Sequence, residues 1–202
     1  MSGIPVLLEG AALTVLVVGG GPVAVRKASA FAAAGASVRV VSREPSPEMR
    51  ELARAHAFSL EERVYEPTDV ADAMLVVAAT NDRSVNAAIA ADGRASARLV
   101  NVADAPDEGS FATMATHRSG TLVVGVSAGG VPGAAARIRD VVAGRFDARY
   151  DDALRRLAAL RRTMIGRGGS TEWRAFASEV LDEDFCDTVE TGALEARLAA
   201  WR

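Results

Sequence analysis

An α/β fold, with a parallel sheet first and a β-hairpin and a small helical subdomain after it, is what three features of the sequence predict. Short runs rich in valine and leucine alternate with helical stretches as far as Pro106. A glycine cluster, Gly19-Gly20-Gly21, stands between the first such run and the first helix. Beyond Pro106 two extended segments flank a glycine turn, and beyond Pro132 the pattern is helical.

Strands are expected at Leu13–Val18, Ser37–Val41, Met74–Ala79 and Arg98–Val102, hydrophobic on both faces as the strands of a covered parallel sheet are. Helices are expected between them at Val23–Ala34, Pro47–Ala55 and Ser84–Gly93, with a weak further strand at Phe58–Val64. Gly109–His117 and Thr121–Ser127 read as the arms of a hairpin whose turn is Arg118-Ser119-Gly120. Tyr150, Leu154, Leu157, Leu160 or Arg161, and Met164 recur every three or four residues and mark an amphipathic helix. Gly166-Arg-Gly-Gly-Ser170 stops it, and Ser170 or Thr171 is placed to cap the next. An exposed hairpin with apolar positions needs a cover, which points to a homodimer built through it.

The glycine cluster carries the first functional signal. Gly19, Gly21 and Ala24 stand in G-x-G-x-x-A spacing between strand and helix. Gly19 permits the tight turn, Gly21 lets the backbone approach a pyrophosphate, and Ala24 allows the helix to pack closely on the strand. Pro22 suits a first helical turn, where its missing N–H costs nothing, and Val23 follows it in the cradle. The free N–H groups and positive dipole end behind the glycines suit a phosphate. The first part of the chain therefore reads as a Rossmann-like NAD(P)-binding domain over residues 1–107, followed by a dimerisation segment over 108–147 and a helical C-terminal subdomain over 148–202.

Composition excludes several classes of function. A chain of 202 residues, 50% hydrophobic and 24% charged, is long enough for one ordinary core and a smaller subdomain. A net charge of −3 gives no support for a nucleic-acid partner, and the apolar runs are far too short to span a membrane. Met1-Ser-Gly-Ile-Pro lacks the basic start and apolar core of a signal peptide. With Cys186 the single cysteine, neither an intrachain disulfide nor a cysteine-based metal site is available. A cytoplasmic protein without a nucleic-acid or membrane partner is the expectation. Lys27 is the single lysine, and arginine is spread unevenly: residues 137–167 hold nine arginines against four aspartates, residues 168–202 three arginines against eight acids. Such a balance belongs to solvated helix faces or to an arginine-lined cleft for a polycarboxylate.

Polar residues cluster at two strand ends. Ala78-Ala-Thr80-Asn81-Asp82, with Val85-Asn86, closes the strand near residue 78, and Asn101-Val-Ala-Asp104-Ala-Pro106 closes the next. Ligands of open α/β sheets bind beyond the carboxyl ends of the strands, which makes Thr80 and Asn81 candidates for the nucleotide and Asn101 and Asp104 candidates for what reacts with it. Asp104 is equally the type of residue that makes a turn before Ala105-Pro106.

Together these strings resemble the precorrin-2 dehydrogenase and sirohydrochlorin ferrochelatase family, the siroheme-synthase domain. The resemblance rests on Gly19-Gly-Gly-Pro-Val-Ala-Val-Arg-Lys27, Ala78-Ala-Thr-Asn-Asp-Arg-Ser-Val-Asn86, Asn101-Val-Ala-Asp-Ala-Pro106 with Phe111, and Val126-Ser-Ala-Gly-Gly130 leading into Ala136-Arg137. It implies NAD-dependent oxidation of precorrin-2 to sirohydrochlorin, often followed by insertion of ferrous iron as a second substrate in the same site, and a homodimer. It assigns catalysis of both steps to the aspartate of the Asn-Val-x-Asp string, here Asp104. A carboxylate suits both steps, as acceptor of a proton when hydride leaves and of pyrrole N–H protons when metal enters.

The chain departs from the family pattern where the macrocycle belongs. Met114 replaces a proline, Ala128 replaces the second hydroxyl of a Ser-Ser or Ser-Thr pair, and Val131-Pro132-Gly133 follows the paired glycines. Ser127 keeps its hydroxyl as substrate contact or strand-end cap. Arg118, Arg137 and Arg139 are candidates to clamp substrate carboxylates, and each is also an ordinary surface residue type. The second strand runs into Ser42-Arg43-Glu44: Ser42 and Arg43 favour NADP, while Glu44 and the family favour NAD, the cofactor expected. His56 and His117 lie far apart without clustered carboxylates, so no resident metal site is expected and His117 is read as a surface or interface residue. Two rival readings remain, a dehydrogenase without chelatase activity and a non-catalytic NAD(H)-sensing module.

Overall fold

The computed structural model describes residues 3–199 and 201. The chain divides into two compact units, Met1–Thr113 and Met114–Arg202.

In the first unit five parallel strands lie in the order β3-β2-β1-β4-β5. They are β1 (Thr14–Val18), β2 (Ser37–Val41), β3 (Ser59–Glu61), β4 (Leu75–Ala78) and β5 (Leu99–Val102). Because side chains alternate along a strand, each valine-rich run feeds two cores. Val15, Val17, Val40 and Val77 point to one face, where helices α1 (Pro22–Ala33) and α2 (Pro47–His56) bury Ala24, Ala28 and Met49 against them. Leu16, Val76, Val100 and Val102 point to the other, where α3 (Arg83–Ala95) supplies Ile89 and Ala90. The sequence expectation of a parallel sheet covered on both sides holds, and the weak strand at 58–64 is real but short. On the α3 side of the sheet, Arg39 and Arg63 both reach the buried carboxylate of Asp69 and, led by Arg63, hold it well below the usual carboxylate range.

Strand order reverses between β1 and β4, so a crevice opens beyond their carboxyl ends. The sheet's far side needs a different device. β5 is an edge strand, and the segment after it folds back along it: the N–H of Ser110 donates to the carbonyl of Val100 at 2.7 Å and the Ser110 hydroxyl accepts from the Val100 N–H at 2.8 Å. That use corrects the expected hairpin arm at 109–117, whose first part is taken by the edge it covers.

In the second unit β6 (Ala115–Ser119) pairs antiparallel with β7 (Leu122–Val126). Arg118 and Ser119 belong to β6, so the turn is tighter than expected and centres on Gly120, φ 55°, and Thr121. Helix α4 (Pro132–Arg145) packs on this hairpin. Helix α5 (Ala148–Gly166) then begins a bundle with α6 (Ser170–Val180), α7 (Phe185–Thr191) and α8 (Leu194–Ala199), around a core of Tyr150, Leu157, Phe176 and Leu198. The Asp151 carboxylate of α5 accepts from the N–H and hydroxyl of Thr121, tying bundle to hairpin. Gly168, φ 83°, helps to stop α5 as expected, whereas α6 starts from Gly169 with no side-chain cap; Ser170 is already helical.

Candidate functional site

The three glycines at the β1 end have three different jobs. Gly19 holds φ 128°, and a Cβ there would run into the carbonyl of Ala79 at the end of β4. Gly20 presses on the loop after β2, where a Cβ would lie 2.5 Å from the Ser42 hydroxyl and 2.6 Å from the Pro45 Cα. At Gly21 an added Cβ would meet nothing within 4 Å. Gly21 is also the N-cap of α1 and offers no side-chain acceptor to the first-turn amides after it. A glycine turn running into an uncapped helix start is a shape that could hold a dinucleotide pyrophosphate. Pro22 and Val23 open the helix as expected, and Ala24 is fully buried under it.

The other two helices of this unit begin with protein-supplied caps. The Ser46 hydroxyl accepts from the Met49 N–H at 3.2 Å. The Asp82 carboxylate accepts from the Ser84 hydroxyl at 2.6 Å and from the Ser84 and Val85 amides at 2.8 and 3.3 Å. These bonds, the hydroxyl first, hold Asp82 below its ordinary value, and the charge of Arg43 acts in the same direction. After β2, Ser42 is buried while Arg43 and Glu44 stand exposed and pair with each other at 3.4 Å.

Between these ends runs a hydrogen-bonded chain that the sequence reading did not assign. Asn86, fully buried in the first turns of α3, accepts from the Thr80 N–H at 3.1 Å and from its hydroxyl at 2.7 Å. Its amide nitrogen donates to the Thr80 carbonyl at 3.2 Å and to Asp104 Oδ1 at 3.0 Å. Asp104 stands just past β5 with 39% of its side chain exposed, its Oδ2 4.0 Å from Arg83 Nε, and Arg83 is paired in turn with Glu108. The signal for Asn86 was present as the last residue of the Ala78–Asn86 string, but nothing local says where its amide points.

Gly19, Gly21, Ser42, Thr80, Asn81 and Asp104 therefore meet at one edge of the sheet, with Asn81 exposed in the loop after β4. Asn101 differs in kind. It is 5% exposed within β5, donates to the Phe111 carbonyl at 3.0 Å and leaves its own Oδ1 without a partner. Nearby, Lys27 donates to the Thr113 hydroxyl at 2.8 Å, and partial burial, with the charge of Arg26 beside it, pushes its ammonium down from the usual lysine value.

The remaining candidates lie in the second unit. Ser127 is exposed just past β7, in a loop where Gly129 and Gly130 hold φ 56° and 85°. Arg118 on β6 and Arg137 on α4 are exposed, and Arg139 pairs with its neighbour Asp140. His117 Nε2 lies 2.6 Å from the Phe146 carbonyl. Met114 fills the space above Gly125, where a Cβ would lie 2.8 Å from its methyl carbon. Among the described residues no group of three or more His, Cys, Asp or Glu is placed to hold a metal ion, and no helix is long and apolar enough to cross a membrane.

Comparison with known proteins bears on this edge directly. Residues 6–115 match the model of an NAD(P)-binding family. A siroheme synthase of Methylococcus capsulatus is 37% identical over 162 residues, 80% of this chain and 34% of that protein. One from Chromobacterium violaceum is 36% identical over 194 residues, 92% of this chain and 41% of that protein. The chain thus spans well under half the length of these curated relatives. A solved structure named SirC, precorrin-2 dehydrogenase, superposes with a TM-score of 0.77 over 98% of each chain at 24% identity, which shows the same fold.

Proposed function

The chain belongs to this NAD(P)-binding family, with siroheme synthases among its relatives, and from that premise we propose that it oxidises precorrin-2 to sirohydrochlorin with NAD. Precorrin-2 gives up a hydride and a proton, so the balance is precorrin-2 plus NAD⁺ to sirohydrochlorin, NADH and H⁺. Bound NAD supplies the hydride acceptor. The protein binds its pyrophosphate at the open Gly21 cradle, places its ribose by Ser42, Arg43 and Glu44, and receives the proton at Asp104.

The observation that carries this reading is Asp104: a partly exposed carboxylate just past β5, with one oxygen held by a buried amide and the other 4.0 Å from Arg83 Nε. Glu44 engages Arg43 and is itself exposed towards solvent, an arrangement that favours a ribose hydroxyl over a 2′-phosphate. Asn101, Ser127, Arg118, Arg137 and Arg139 are the proposed contacts of the carboxylate-rich macrocycle. Exposed Val131, Ile138 and Val141 on and before α4 support a homodimer through the segment after the nucleotide domain, acting in the cytoplasm.

Ferrous iron is the second substrate of the bifunctional reading; its insertion releases two pyrrole protons, which Asp104 would take up one at a time and pass to solvent. Ala128, which lacks the second hydroxyl, Met114 in place of a proline, and the altered Val131-Pro132-Gly133 favour the narrower reading in which product leaves metal-free.

An anaerobic absorbance time course with fresh precorrin-2 tests all of this, run with NAD, with NADP, and with ferrous iron added, on the native chain and Asp104→Ala. Sirohydrochlorin forming with NAD and failing to form in the variant supports the dehydrogenase; the iron trace reports chelation. No product with either nucleotide, while nucleotide still binds, overturns the reading in favour of a sensing module.

A further inference from the structure

We propose that Asn86 is the positioning residue of the site: it fixes Asp104 Oδ1, so that Oδ2 is the oxygen that takes the substrate proton, and it couples that carboxylate to the nucleotide loop at Thr80. The inference rests on the assignment of Asp104 as proton acceptor and deepens it.

Every hydrogen-bonding position of the Asn86 amide is used. A primary amide has two donor hydrogens and two acceptor lone pairs. Here the oxygen accepts from the Thr80 N–H and hydroxyl, and the nitrogen donates to the Thr80 carbonyl and to Asp104. The Thr80 N–H can only donate, so it fixes which end of the amide is the oxygen, and the NH2 end must then face Asp104. The group is fully buried, where an unmade bond is costly, so this orientation is held firmly.

The consequence for Asp104 is an asymmetric carboxylate. Oδ1 is bonded to a neutral donor that cannot take its proton. Oδ2 stands 4.0 Å from Arg83 Nε, beyond hydrogen-bond range, and Arg83 is held back by Glu108. The charged groups facing this carboxylate are thus Arg83 from α3 and, through it, Glu108 from the turn at Pro106–Glu108; Asp82 is spent on capping α3. Thr80 immediately follows the β4 end that Gly19 packs against, so the same amide joins the wall of the nucleotide cradle to the reacting carboxylate.

Asn86→Asp is the sharp test, because a carboxylate at 86 still accepts from Thr80 but turns an anion towards Asp104. The series is Asn86→Asp, Asn86→Ala and Asp104→Ala, followed by nucleotide binding, by kcat and KM across pH, and by the carbon-13 carboxyl titration of Asp104. The expected result for Asn86→Asp is a folded protein that still binds nucleotide, with kcat reduced about 10- to 100-fold, and both the acid limb of kcat and the Asp104 titration moved to higher pH. Asn86→Ala should lose kcat similarly, with a smaller movement of the acid limb. A native kcat and acid limb in Asn86→Asp, with Asp104→Ala inactive, overturns the positioning role alone. Full turnover in Asp104→Ala overturns the catalytic assignment and this inference with it. If neither Asn86 variant folds, the carboxyl titration of Asn86→Gln decides: an Asp104 curve unmoved from native overturns the proposal.

Discussion

Helices α1 and α3 begin at the same edge of the same sheet and solve the same problem in opposite ways. Every helix start leaves backbone N–H groups that need acceptors. At α3 the protein provides them: Asp82 accepts from Ser84 and Val85, and Asn86 locks the loop behind. At α1 no side chain does so; Gly21 has none to offer, and a Cβ added there would meet nothing within 4 Å. On the proposed function the difference separates a start capped for stability from one left to the nucleotide. An edge built only for stability would cap both.

Four expected outcomes break or sharpen that comparison. The largest belongs to Gly19→Ala, which forces a side chain into φ 128° and into the Ala79 carbonyl; a loss of about 3–4 kcal/mol in chemical denaturation is expected, with nucleotide binding lost alongside. Gly21→Ala should do the reverse. Its Cβ enters open space, so stability should stay within about 0.5 kcal/mol of native, while calorimetric Kd for the nucleotide rises about tenfold, near 1.4 kcal/mol. If Gly21→Ala instead unfolds the protein and binds normally, the open cradle is structural and the comparison fails.

The third outcome concerns the neighbouring loop. Glu44→Gln frees Arg43 from its exposed partner and weakens the acceptor for the ribose hydroxyl, so the KM for NADP should fall about threefold, the size of a surface ion pair, while the KM for NAD rises. The smallest concerns the α3 cap and is read in pH. Asp82 sits below its ordinary value because the folded protein bonds its ionised form, the Ser84 hydroxyl foremost. Its contribution is therefore fully present above about pH 4 and is lost as pH falls through its lowered value. Thermal melts of Asp82→Ala should show a small loss at neutral pH that vanishes towards the acid end, whereas no such slope is expected from the uncapped start of α1.

Much of this edge was legible beforehand because it is written locally. A run such as Leu13–Val18, a glycine pair two apart and a small residue at 24 are determined by neighbours in sequence, and the strand, turn and helix they specify form where expected. The placement of Thr80 and Asp104 at the crevice was legible for the same reason, since each directly follows an apolar strand. Asn101 reads less simply. From its string it belongs beside Asp104, but strand alternation turns it into the sheet, where it holds Phe111. The hairpin boundaries shifted because an edge strand elsewhere claimed Ser110 and Phe111, a competition that no local window contains.

The amino-acid sequence by itself determined the alternation of strands and helices, the glycine turn at 19–21 and the family the chain belongs to, because these depend on side-chain pattern along a few consecutive residues. Only the tertiary structure decided that Gly20 packs on Ser42 while Gly21 stays open, and that the sheet's outer edge is covered from 109 to 111. It also decided that Asn86 reaches across eighteen residues to Asp104. The reason is physical. Those facts are set by which strands become neighbours and by hydrogen bonds whose partners meet only once the strand order β3-β2-β1-β4-β5 has formed.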